Sequence, residues 1–196
     1  MKRMGKVKLL LIGDQEVGKT SLRKRFMGQK HTVSYMATIG ADFAKKDTQV
    51  TFNDEEYVIE SLIWDLAGQD AYKIVRESFY EGCAGALLVV DITREETFTH
   101  GPAWIEELWN HNGRGPIPLI ILANKTDLKT KDPDKVLSEE KINELVDNIR
   151  NFAREKAKES NFQYKFLETS ATDGINVEEA FQLLLKEILS LQSKNH

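Results

Sequence analysis

The sequence predicts an α/β fold: a doubly wound, mostly parallel six-stranded sheet with one antiparallel edge strand and helices on both faces. Three observations carry this. Short apolar runs alternate with segments whose apolar residues recur at helical spacing. Gly85–Ile92 and Ile117–Ala123 are apolar almost throughout, as strands covered on both faces should be. The stretch Gly13-Asp14-Gln15-Glu16-Val17-Gly18-Lys19-Thr20, of the form G-x-x-x-x-G-K-T, stands between the first apolar run and the first helical segment.

Taken in order, Val7–Ile12 reads as a buried first strand and Thr20–Met27 as the first helix. Phe43–Phe52 and Glu56–Trp64 read as a hairpin around the polar turn Asn53-Asp54-Glu55. Gly85–Ile92 is the next strand. Phe98–Asn110 is then a helix carrying Trp104, Ile105, Leu108 and Trp109, and it stops near Gly113. Ile117–Ala123 is a strand. Ser138 caps a long helix reaching about Lys158, with Ile142, Leu145, Val146, Ile149, Phe152 and Ala153 along one face. Tyr164–Leu167 is a short final strand, and Asn176–Leu191 a final amphipathic helix. No repeat, low-complexity tract or linker interrupts the 196 residues, so one domain with its core over about 6–191 is expected.

Composition narrows the function. Hydrophobic residues make up 41% and charged residues 30%, the balance of an ordinary globular protein. A net charge of −4 with no dense basic block argues against general nucleic-acid binding. No apolar stretch approaches the ~20 residues of a membrane span. Cys83 is the only cysteine, so no internal disulfide is expected and a reducing cytoplasm is inferred. With no cysteine near the C-terminus and Gly5 away from position two, no lipid anchor is expected in this chain.

In a doubly wound sheet, ligands bind beyond the carboxyl ends of the strands, so the residues following each apolar run carry the chemistry. The first such loop can aim backbone N–H groups and a helix N-terminus at a polyphosphate, with Lys19 reaching the β- and γ-phosphates and the Thr20 hydroxyl holding Mg²⁺. After Trp64 come Asp65-Leu66-Ala67-Gly68-Gln69. Asp65 can hold Mg²⁺ through water, Gly68 can offer its N–H to a terminal phosphate, and Gln69 can orient an attacking water. After Ala123 come Asn124-Lys125-Thr126-Asp127. The Asp127 carboxylate can accept from N1–H and the exocyclic amine of guanine; adenine has no donor pair there and would leave it unpaired. The Lys125 stem can lie on the base plane, and Asn124 can tie this loop to the phosphate loop. In Glu168-Thr169-Ser170-Ala171-Thr172, small Ala171 lets its N–H approach the guanine oxygen. Thr38, in Tyr35-Met36-Ala37-Thr38-Ile39-Gly40, can complete a Mg²⁺ shell while a γ-phosphate is present.

Together, GDQEVGKT, TIG, WDLAGQ, NKTD and ETSA follow the order and spacing of the Ras superfamily of small GTPases, and the chain resembles that family from about Lys6 to Leu191. Thr38–Phe43, Trp64–Asp70, Phe166–Ala171 and Asn176–Phe181 look most like the Rab branch, and a prokaryotic or archaeal Rab-like relative fits a chain without a lipid tail. The resemblance implies a P-loop G domain that binds GTP or GDP with Mg²⁺ and acts as a slow GTPase switch. Thr20 and Thr38 would ligate Mg²⁺, with Asp65 behind them. Gln69, Lys19 and Thr38 would serve catalysis. Nucleotide contacts are implied for Gln15, Glu16, Val17, Gly18, Lys19, Thr20, Ser21, His31, Tyr35, Thr38, Gly68, Asn124, Lys125, Asp127, Ser170, Ala171 and Thr172. Two switch loops, about 29–41 and 67–79, would relax on hydrolysis. Effectors, an exchange factor and an activating protein are the expected partners of a monomer. The location is cytoplasmic, with membrane attachment only through a protein partner.

The chain departs from the pattern in places. Gln15 stands beside the γ-phosphate, where the family keeps a small residue. A bulky amide there crowds Gln69 or an activator's arginine, so weak hydrolysis is expected. His31 replaces an aromatic packed against guanine, and Thr172 replaces a supporting lysine. The stretch Lys129–Tyr164 is longer than in typical Rab proteins, so its helix should project or lengthen. The alternatives are a GTP-binding scaffold with little hydrolysis, kept open by Gln15, and a P-loop kinase or ATPase, opposed by Asn124–Asp127. A nucleic-acid-binding GTPase is more distant.

Overall fold

A computed structural model describes residues 2–29, 40–158 and 162–194. Its elements are β1 (Lys2–Ile12), α1 (Lys19–Phe26), β2 (Ala41–Phe52), β3 (Glu55–Leu66), α2 (Lys73–Glu77), β4 (Gly85–Asp91), α3 (Glu95–Thr99), α4 (Gly101–His111), β5 (Leu119–Asn124), α5 (Leu128–Lys131), α6 (Glu139–Lys156), β6 (Phe166–Glu168) and α7 (Val177–Lys194). The strands form one sheet in the order β2-β3-β1-β4-β5-β6. Every neighbouring pair is parallel except β2 with β3, so the predicted architecture is the observed one.

Period-two alternation sorts the core onto two faces. Leu10, Ile12, Leu88, Val90 and Ile121 face Trp104, Ile105 and Leu108 of α4 and Ile142, Val146 and Ile149 of α6. Leu9, Leu11, Leu87, Val89, Ile120 and Leu122 face Leu22 and Phe26 of α1 and Phe181, Leu184 and Leu185 of α7. Phe26 and Phe181 stack with centroids 3.8 Å apart, which joins α1 to α7. Because five strands run parallel, Ile12, Leu66, Asp91, Asn124 and Glu168 all end at the same edge of the sheet.

Several boundaries differ from the sequence reading, each for a physical reason. β1 begins at Lys2 rather than Val7. Its polar start pairs with β3 and is lined by ion pairs to carboxylates of the hairpin, Lys2–Glu55 at 2.6 Å and Arg3–Asp47 at 3.3 Å. Hydrophobic patterning cannot report such an extension. The hairpin closes in two residues, Asn53 and Asp54, at φ 49° and 60°, so Glu55 already pairs with Phe52. Two successive left-handed residues give the turn whose twist matches the strands. β3 runs on through Asp65, and β5 through Asn124, so both residues are strand-borne rather than loop residues.

The single helix expected over Phe98–Asn110 is instead α3 and α4, which meet at His100. Pro102 is the second residue of α4; lacking an N–H, it cannot bond back into the preceding turn, so the helix restarts there. The last strand is Phe166–Glu168 and leaves Tyr164 outside, at φ 47°. Ser138 does cap α6, its hydroxyl accepting from the Lys141 N–H at 3.2 Å. α6 has 18 residues, with Ile142, Leu145, Val146, Ile149 and Ala153 buried. Its second half is tied down by Lys156 to Glu106 at 2.6 Å and by Arg150 to the Tyr164 carbonyl at 3.0 Å.

Cys83 is fully buried, and burial pushes its thiol up to about 12 from an ordinary 9. A folded-state pKa above the unfolded one costs stability only at high pH. The Cys83 contribution to unfolding free energy should therefore fall by up to roughly 1.4 kcal/mol per pH unit above pH 9, read as the difference in slope between the parent and Cys83→Ala. Below pH 9, iodoacetamide should modify Cys83 only at the global unfolding rate; labelling within minutes in native buffer would contradict the burial.

Candidate nucleotide-binding edge

The loop from Gly13 to Gly18 is shaped by two close approaches. Gly13 has φ 130°, and a Cβ there would stand 2.2 Å from the Val89 carbonyl oxygen. Gly18 has φ 101°, and a Cβ there would stand 2.3 Å from Asn124 Nδ2. Neither position accepts a side chain, so the loop lies flat on the ends of β4 and β5. Val17 is buried beneath it, while the side chains of Gln15 and Glu16 are exposed. Lys19 opens α1 and curls back, its ammonium donating to the carbonyls of Gly13 and Asp14 at 2.6 Å each. Burial pushes its amine down to about 8, against the pull of Asp65 and Asp14. Ser21 is half-buried on the same first turn.

Thr20 donates its hydroxyl to Asp65 Oδ2. Asp65 is fully buried, and its Oδ1 has no hydrogen-bond partner among the described residues. Burial holds this carboxyl above the usual carboxylate range, although the Thr20 hydroxyl and Lys19 favour its ionised form. A buried, unpartnered carboxylate oxygen beside a threonine hydroxyl, at the mouth of a phosphate-type loop, fits a hard cation. Among the described residues no cluster of three or more His, Cys, Asp or Glu could cage a metal alone. That donor set suits Mg²⁺, which keeps waters and takes further oxygens from phosphates. His31, Tyr35 and Thr38 lie outside the described residues, as does most of the first expected switch loop.

The third loop is held by Asn124. Its Nδ2 donates to the Val17 carbonyl at 2.8 Å, and its Oδ1 accepts from Thr169 Oγ1 at 3.2 Å and from the Ala171 N–H at 3.3 Å. The predicted tie to the phosphate loop is therefore present, and a second tie, to the loop after β6, was not foreseen. Lys125, at φ 72°, directs its ammonium to the buried Asp91, 2.6 Å away. Asp127 accepts from Ser170 Oγ at 2.8 Å and lies 3.2 Å from the Lys131 ammonium. Partial burial works against its charge, but those two partners hold it below the usual carboxylate range. Ser170 and Ala171 are buried, and Thr172 is exposed. The structure thus brings residues 13–21, Asp65, Gly68, Asn124, Lys125, Asp127 and 170–172 to one edge.

Gly68 packs on the phosphate loop itself: a Cβ there would stand 2.3 Å from the Gln15 nitrogen. Gln69 follows, half-buried, its carbonyl accepting from Arg76 Nη1 at 3.2 Å. Several residues of this edge escaped the sequence reading. Asp14 accepts from the Trp104 indole N–H and meets His100 Nδ1, both at 2.7 Å, and Arg94 donates to the Gln15 carbonyl at 3.0 Å. Arg76 and Glu107 join the loop after β3 to α4. Asp91 could have been found by the rule applied to the other strands, since it ends β4. Arg76 and Trp104 gave no such signal, because only their packing makes them part of the edge.

A family model described as Ras family matches residues 8–190. The chain belongs to the Ras family. The Ras-related protein RABA4b of Arabidopsis thaliana is 38% identical over 189 residues, covering 96% of this chain and 75% of that protein. The Ras-related proteins Rab11D of Nicotiana tabacum and Rab11A of Lotus japonicus are each 37% identical, covering 96% and 95% of this chain and 76% and 74% of theirs. Membership of the Ras family, among Rab relatives, makes the edge that of a GTP-binding small GTPase.

The Asn124 knot makes a measurable claim about this Ras-family edge. Asn124→Ala would strand the Val17 carbonyl, the Thr169 hydroxyl and the Ala171 N–H. The nucleotide-free protein should lose about 2–3 kcal/mol in urea unfolding, the cost of unpaired buried polar groups. A loss under ~0.5 kcal/mol would show that water replaces the amide.

Proposed function

We propose that the protein is a GTP/GDP molecular switch that holds guanine nucleotide with Mg²⁺ and hydrolyses GTP slowly to GDP and phosphate. The observation that carries this is the pairing of two loops by Asn124: an Asp127 carboxylate held ionised for base recognition stands a fixed distance from a phosphate-type loop. Residues 13–21 would cradle the phosphates, with Lys19 exchanging its loop carbonyls for phosphate oxygens. Thr20 and Asp65 would hold Mg²⁺, joined by Thr38. Bound Mg²⁺ would supply charge neutralisation across the β- and γ-phosphates. Asp127 would read guanine, with Lys125, Ser170, Ala171 and Thr172 around the base and His31 and Tyr35 on the open side. Gln69 would orient the lytic water, and the loops 29–41 and 67–79 would respond to its work. We read 1–196 as one G domain.

Partner surfaces follow from exposure. Exposed Phe43 leads an aromatic row through half-buried Trp64 and Phe79, with centroids 5.0 and 5.2 Å apart. Ile74 is 85% exposed and Val75 50%, on the loop expected to switch. An apolar face beside a switch suits effector, exchange-factor and activator proteins. No helix among the described residues is long and apolar enough to cross a membrane. We place the protein in the cytoplasm, reaching membranes through such partners.

Chromatography of nucleotide released from purified protein should show GDP or GTP, and GTP but not ATP should displace a fluorescent guanine nucleotide. Asp127→Ala should weaken GTP binding at least ~10²-fold without improving ATP, because a lost buried polar partner costs several kcal/mol. Equal competition by ATP would sink the guanine reading.

Gln15 favours a second reading, a GTP-binding scaffold that barely turns over. Its backbone lies against Gly68 and its side chain is exposed at the phosphate loop. Single-turnover phosphate release separates the two readings. Gln15→Gly should raise that rate several-fold; an unchanged rate would remove Gln15 as the brake.

A further inference from the structure

Arg76 lies on α2 after exposed Ile74 and Val75 and before half-buried Glu77 and exposed Ser78, yet it is only 1% exposed. Burying a guanidinium is costly unless its donors are used. Four of them are. Nε and Nη2 grip the Glu107 carboxylate at 2.7 and 3.1 Å, and Nη1 donates to the carbonyls of Ala67 at 2.9 Å and Gln69 at 3.2 Å. The guanidinium carbon stands 4.2 Å from the centre of the Trp104 ring. That indole donates its N–H to Asp14 of the phosphate loop at 2.7 Å. Tyr80 donates at 2.7 Å to Glu107 Oε1, the oxygen that also accepts from Arg76 Nε, and so holds the carboxylate from a second direction.

We infer that Arg76 is a positioning residue for GTP hydrolysis: it grips the backbone on both sides of Gly68 and thereby sets where Gln69 stands relative to the phosphate loop. This rests on the hydrolytic reading above. Two carbonyls separated by one flexible glycine are held by a single planar group, so the glycine cannot turn without one bond breaking. The group is itself held by a carboxylate on α4 and by an aromatic face. Trp104 makes the grip sensitive to the phosphate loop, because one indole serves Arg76 with its face and Asp14 with its edge. Lysine can replace the charge but cannot span two carbonyls and a carboxylate in one plane. Arg76 touches no reacting atom; it acts through Gln69.

The test is a double-mutant cycle in single-turnover GTP hydrolysis, with Arg76→Met, Gln69→Ala and the pair. Arg76→Met alone should slow hydrolysis at least tenfold, Arg76→Lys should recover little of it, and GDP dissociation should stay within about twofold of the parent. In the Gln69→Ala background, Arg76→Met should cost almost nothing further. A purely structural role would slow both backgrounds by the same factor, and that result overturns the inference. Should Arg76→Met fail to fold, Glu107→Gln, which keeps size and loosens the grip, replaces it in the same cycle with the same expected non-additivity. A parent that binds GTP and releases no phosphate overturns the hydrolytic reading and this inference together. A parent that hydrolyses GTP with additive effects overturns the inference alone.

Discussion

Asn124 closes the last rung of β5 and then spends its whole side chain outside the strand, donating to the phosphate loop and accepting from the loop after β6. Three chain segments far apart in sequence meet on one amide. Removing it would not only lose hydrogen bonds; it would leave buried donors and acceptors unpaired, which costs more than the bonds contribute. The distance between base loop and phosphate loop depends on this contact. So does the conformation of Gly18, which has no room for a side chain because the amide occupies it.

The edge that results is electrostatically unrelaxed. Among the described residues, Lys19 is buried with carbonyls as its hydrogen-bond partners, and Asp65 is buried with one oxygen unpartnered. Each group is shifted toward its neutral form by burial. Such opposed shifts in neighbouring groups mark a place arranged for charge that arrives with a ligand. A polyphosphate and a hard cation would favour the ionised form of both residues. The loop after β3 is treated differently. There the charge on Arg76 is met inside the protein by Glu107 and by backbone carbonyls, so that segment is held by internal contacts.

Much of this was legible in the residues. Gly85–Ile92, apolar but for Asp91, announced a central strand, and the strand-end rule located Asp65, Asn124 and the phosphate loop together. What patterning missed had no hydrophobic signal. The first residues of β1 are polar and are held by charges on neighbouring strands. The break at His100 depends on one missing N–H at Pro102. Trp104 reads as an ordinary core residue, and it is one, but its ring also carries Arg76 and its N–H also holds Asp14.

The sequence by itself determined the fold class, the guanine-type and phosphate-type motifs, and the family, because these depend on periodicity and on short local patterns. Only the tertiary structure decided which side chains cooperate. Asn124 with Ala171, Lys125 with Asp91, and Arg76 with Ala67, Gln69 and Glu107 are contacts between distant segments. Local pattern carries no information about such pairs. They follow from the parallel register that brings five strand ends to one edge, and from the cost of leaving a polar group buried there without a partner, which all but a few avoid.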